Sequence, residues 1–178
     1  FVYFCAKQRE KTAWAEAGYV VAEEKLPVKT AAKPMKSLNF SSAEALTVDE
    51  TTTAVNVSGS NFKATFTKSK GTLTGYTYDG KQMISSNKGL FLNAFRLPTD
   101  NDGRKKEDWD NMGLPRLSTT GKGTGTTVTK ADDGRPVTIA MTSIYGSGSN
   151  AFNVSLSFIV CADGTIMVNS LIRPKKLG

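Results

Sequence analysis

A period of two constrains this chain most. Apolar side chains recur at every second position in Phe152, Val154, Leu156, Phe158 and Val160, with Asn153, Ser155 and Ser157 between them. Successive side chains of a strand point to opposite faces, so this run buries one face and leaves the other in water. The pattern resumes in Ile166 and Val168 after Asp163-Gly164, a pair suited to the positive φ of a tight hairpin turn. A two-stranded ribbon is marginal in water, so its apolar face must meet a second sheet, and a β-sandwich is predicted.

The same alternation and β-branched or aromatic enrichment mark further strands at Phe1–Lys7, Gly18–Val28, Ala54–Ser58, Phe62–Lys68, Leu73–Tyr78, Gly89–Phe95, Thr126–Lys130, Pro136–Tyr145, Ala151–Val160 and Thr165–Ile172. Asp79-Gly80 and Asp132-Asp133-Gly134 supply turns between them. No window carries a helical stripe longer than two turns, so the fold class is all-β. Residues 29–53, rich in Ser, Thr, Ala and Glu, break the pattern and read as a linker. The chain therefore divides into a two-strand ribbon at 1–28, the linker, and a sandwich portion at 54–178. The Gly-rich run Thr119–Thr127 lacks the spacing of a phosphate-binding loop and a following helix, and reads as a flexible connection between strands.

At 178 residues the chain is long enough to build a core without staples. Cys5 and Cys161 sit in apolar alternating runs, where buried free thiols are expected. No stretch approaches the roughly 20 apolar residues of a membrane helix, and the first residues lack the order of a signal peptide. The first residue is Phe1, already in a strand pattern, as expected of a segment from inside a longer protein. Net charge is +7, but the Lys and Arg residues are dispersed, and Arg104-Lys105-Lys106 is followed at once by Glu107, Asp108 and Asp110. No basic stripe with interleaved aromatics is present, so neither nucleic acid nor membrane is expected as a partner.

The chain contains no His, which removes the usual base of a nucleophilic triad, and two distant Cys cannot make a zinc site. Glycosidases need only two carboxylates at a set separation, which directs attention to Asp100, Asp102, Glu107, Asp108 and Asp110 between Pro98 and Gly113. Asp and Asn in such a loop commonly bond to backbone amides and form turns. Asp100-Asn101-Asp102-Gly103 offers oxygen ligands but departs from the EF-hand spacing, so no metal is expected. Trp109, Phe95 and Tyr145 could form a sugar-stacking surface, although isolated aromatics in a β domain more often belong to the core.

Two strings carry a resemblance. Trp14-Ala15-Glu16-Ala17-Gly18-Tyr19, continued by Val20-Val21-Ala22-Glu23-Glu24, and Phe95-Arg96-Leu97-Pro98-Thr99-Asp100-Asn101-Asp102 resemble, in order and spacing, landmarks of the large β-galactosidases of glycoside hydrolase family two. Gly71-Thr72-Leu73-Thr74-Gly75, Asp79-Gly80, Trp109 and Gly113-Leu114 resemble the pieces between and after them. The resemblance implies the last strands of an immunoglobulin-like domain at 1–28, and the N-terminal part of the small-chain domain at 54–178, itself part of a galactose-mutarotase-like supersandwich. The two catalytic glutamates of such an enzyme lie on a barrel outside this chain, so no catalytic residue and no cofactor is expected here. Partners are then the remaining domains of the parent and, in the parent, a galactoside. The resemblance places Gly103–Asp110 near the active-site mouth and assigns Arg96, Asp100, Asn101 and Asp102 to holding the base of that loop, with Trp109 beside it. The parent would sit in the bacterial periplasm or cytoplasm, and the residues leave the compartment open.

Two other readings compete with an accessory segment: an autonomous carbohydrate-binding module and an adhesion sandwich without a sugar ligand. Exposed strand edges at either end are expected to favour self-association.

Overall fold

The structure, a computed structural model, describes residues 1–28, 45–85 and 88–175. Two compact units divide the chain, Phe1–Ser37 and Leu38–Gly178. In the first, β1 (Val2–Lys7) and β2 (Val20–Leu26) form an antiparallel ribbon in which Val2 faces Leu26, with an irregularity between Ala6 and Lys7. Between the strands, Trp14 and Tyr19 meet edge to face at 5.6 Å. Every residue of both strands is exposed, Cys5 included, which corrects the expectation of a buried thiol there. A two-stranded ribbon offers no second layer of its own to bury a face against, so alternation alone buries nothing.

The second unit is an all-β sandwich. Its first sheet is a five-stranded meander, β3 (Thr47–Glu50), β4 (Ala54–Ser58), β5 (Phe62–Thr67), β6 (Thr72–Tyr78) and β7 (Lys81–Gln82). Its second has four strands, β8 (Lys122–Lys130), β9 (Val137–Tyr145), β10 (Phe152–Val160) and β11 (Ile166–Pro174), each antiparallel to its neighbour. The alternating positions make one core: Val55, Val57 and Phe66 from the first sheet join Ile139, Met141 and Phe158 from the second. The Phe66 and Phe158 rings meet at 5.0 Å and 61°, joining the two layers at the centre. At the β6–β7 turn both Asp79 and Gly80 take positive φ, 47° and 72°, the geometry expected of an Asp-Gly hairpin.

Four expectations need correction. Residues 29–44 of the stretch read as a linker lie outside the described residues, but β3 falls within 45–53 and pairs with β4, Thr47 facing Ser58. Gly89–Phe95 is not a strand. Its apolar residues Phe91 and Leu92 instead pack irregularly against the core, held where the Thr72 hydroxyl donates to the Leu90 carbonyl at 2.8 Å.

The Gly-rich run is not a flexible loop either: most of it belongs to β8. Its glycines answer to close approach, since a Cβ on Gly123 would collide with the Lys68 carbonyl oxygen in the β5–β6 turn. The Gly123 amide donates to the Ser69 carbonyl there at 2.8 Å. Finally, the acidic loop contains a short helix, α1 (Lys105–Asn111), flanked by 3₁₀ turns at Asp100–Asp102 and Leu114–Thr119.

Candidate functional site

The site is built on the connection between the two sheets, residues 93–113. Asn93 begins it by accepting the Phe95 amide at 3.1 Å through its side-chain oxygen. Arg96 then turns back across six positions and grips Asp102 with both arms, Nη1 to Oδ2 at 2.6 Å and Nη2 to Oδ1 at 2.9 Å. The same Oδ2 accepts the Thr99 amide at 2.8 Å and the Thr99 hydroxyl at 2.9 Å. The Asp102 amide donates to the Thr99 carbonyl at 2.9 Å and closes the turn. A carboxylate reaching back to the amide at the start of its own helical turn satisfies a donor that helix geometry leaves open.

These contacts decide the electrostatics. The Arg96 hydrogen bonds, followed by the Thr99 amide, hold the Asp102 carboxyl far below the usual carboxylate range, and the same pairing raises Arg96. Asp102 therefore stays ionised and is a poor proton acceptor or donor near neutrality. Its side chain retains 15% of its exposure, against 60% for Arg96, so the carboxylate is the enclosed member of the pair.

An aromatic layer backs the pair. Trp109, on α1, meets Phe95 edge to face at 6.3 Å and 90°, and the Arg96 guanidinium carbon lies 5.3 Å from the Trp109 ring centre. One guanidinium thus serves two contacts, a fork to Asp102 and a cation–π contact to Trp109. Lys105 and Asp108 add a loose ion pair at 3.6 Å along α1.

The structure brings Arg96, Asp102 and Trp109 together. Asp100 and Asn101 are exposed, and neither side chain makes a hydrogen bond among the described residues. Tyr145 offers no stacking surface, since it is 1% exposed inside the core. No group of three or more metal-ligating side chains occurs among the described residues. Thr99 was missed by sequence reasoning, although a Thr followed three positions later by a carboxylate signals a capping box. The arrangement is a brace: it fixes where α1 begins and leaves Arg104 before it, and Lys106, Glu107 and Asp110 on it, exposed.

Residues 58–177 match the family model described as Beta galactosidase small chain, a span that takes in most of the two sheets and the whole brace. The chain is also similar to a protein named Beta-galactosidase from Priestia megaterium (strain DSM 319 / IMG 1521), at 42% identity over 93 residues. That alignment covers 51% of this chain and 8% of the relative, so the matched region spans only a small part of the relative's length.

Proposed function

Because the chain belongs to the β-galactosidase small-chain family, matching its model over residues 58–177, we propose that it is a non-catalytic accessory segment of a β-galactosidase. In the whole protein, hydrolysis of terminal β-galactosides is performed by a carboxylate pair located elsewhere, and this segment supports that catalytic domain and shapes the entrance to it. The family match carries the reading. The geometry supports it in a specific way: the best-held carboxylate of the acidic loop, Asp102, is committed to Arg96 and Thr99.

A retaining or inverting glycosidase needs one carboxyl that can give up a proton and a second that attacks or activates water. Asp102, held ionised by its partners, does not suit the acid role. What the brace can do is hold α1 and the residues around it in one place, so that a sugar arriving at the entrance meets a preformed wall. The test is incubation of the purified chain with a chromogenic β-galactoside. No turnover is expected, and turnover that survives purification and disappears in Asp100→Asn or Asp102→Asn would overturn the proposal.

A further inference from the structure

A cleft of about 390 Å³ lies between the 3₁₀ segment that follows α1 and the turn that ends β9, with Arg116, Thr119, Thr120, Lys122, Gly146 and Ser147 among its lining residues. Its walls are tied to the core and to each other. Leu117, 1% exposed, pins the 3₁₀ segment beneath the cleft. The Thr120 hydroxyl donates to the Leu117 carbonyl at 2.7 Å and accepts the Gly146 amide at 2.7 Å, linking one wall to the other.

The charges of this cleft are unbalanced. Arg116 and Lys122 both line it, neither forms an ion pair among the described residues, and no acidic residue among them lines the cleft. A cleft lined by two cations and by no described carboxylate favours an anion, which gains charge-assisted hydrogen bonds there. A guanidinium fork and an ammonium in one lining suit an oxyanion with several acceptor oxygens. The Ser147 hydroxyl, without a protein partner among the described residues, can add one neutral donor.

We propose that this cleft binds an oxyanion carried on a saccharide, a sulfate or carboxylate group on a galactose-class sugar. The oxyanion half of the proposal rests on the cleft itself, and the saccharide half rests on the galactosidase reading above.

The test is an amide-resolved NMR titration of the full chain with galactose 6-sulfate, galacturonate, galactose and sodium sulfate, at matched ionic strength. Either or both charged sugars are expected to move the amides of Gly121, Gly146 and Ser147 saturably, while galactose moves none of them. Losing both cations in Arg116→Gln with Lys122→Gln should weaken binding by about tenfold or more, each charged hydrogen bond being worth that order. Both positions are exposed, so the variant's spectrum should otherwise overlay the parent's. Binding should also weaken as the Debye length is shortened from about 30 to about 10 Å.

Saturation by sulfate as tight as by both charged sugars would mean an adventitious ion only and would overturn the proposal, as would equal shifts with galactose or no saturable shift at all. Hydrolysis of an uncharged galactoside by a whole parent enzyme should be unaffected by the same two substitutions. A failed titration therefore leaves the accessory role standing, and failure of that role does not move the titration.

Discussion

Arg96 holds both carboxylate oxygens of Asp102, at 2.6 and 2.9 Å, while its guanidinium lies 5.3 Å from the centre of the Trp109 ring. An irregular segment, a 3₁₀ turn and α1 are thereby joined through one side chain. Arg96→Lys keeps the charge but loses the fork and the planar stack, so it should loosen the connection nearly as much as Arg96→Ala. Hydrogen exchange at the amides of 99–111 checks this, with faster exchange expected in both variants.

The depressed Asp102 carboxyl makes the brace acid-sensitive. A carboxylate whose folded pKa lies below its unfolded value, about 3.9 for Asp, adds stability that is complete above the unfolded value. That stability is lost as pH falls through the folded one. The melting-temperature gap between the parent chain and Asp102→Asn should therefore be constant near neutrality and shrink only as pH falls below about 4. Asp100→Ala, at an exposed side chain without a partner, should open a much smaller gap at any pH.

The Tyr76 hydroxyl donates to the Gly164 carbonyl at 2.6 Å, linking β6 to the β10–β11 turn across the sandwich. Gly164, at φ 86°, leaves no room for a side chain, since its Cβ would lie 3.0 Å from that hydroxyl and 2.9 Å from the Tyr78 ring. Tyr76→Phe should cost about 1 kcal/mol for the lost hydrogen bond, and Gly164→Ala should cost more, through both strain and crowding. Urea denaturation of the three proteins gives the ranking.

Phe158 is fully buried against Phe66. Phe158→Ala should cost about 3–5 kcal/mol through lost transfer energy and a residual cavity. Gly123→Ala should be destabilising too, although it adds only a methyl group, because that methyl meets the Lys68 carbonyl. Denaturant midpoints check both, and an unchanged midpoint in Gly123→Ala would mean that β8 and the β5–β6 turn can separate freely.

The strands that carry alternation on a covered face were legible in the sequence, because the period of two and the burial of that face have one cause. Val154 to Val160 is the clearest case. The segment at Gly89–Phe95 misled because burial and strand pairing are separate requirements, and Phe91 and Leu92 meet the first without the second. Thr47–Glu50 was missed because Thr, Asp and Glu on a largely exposed edge strand show no apolar period. At the candidate site, the string from Phe95 to Asp102 holds both partners of the brace, yet which acid does the holding was invisible. Asp100 and Asp102 are chemically identical in sequence, and only the turn geometry delivers one of them to Arg96.

Whether this segment shapes a galactosidase entrance without taking part in the chemistry is decided by steady-state kinetics of a whole parent enzyme carrying Asp102→Asn. Loosening α1 at the entrance should raise KM for a galactoside severalfold, while leaving kcat and its pH profile close to the parent's. Loss of kcat by several orders of magnitude with an unchanged KM, or displacement of one limb of the pH profile, would contradict the claim and make Asp102 a catalytic group.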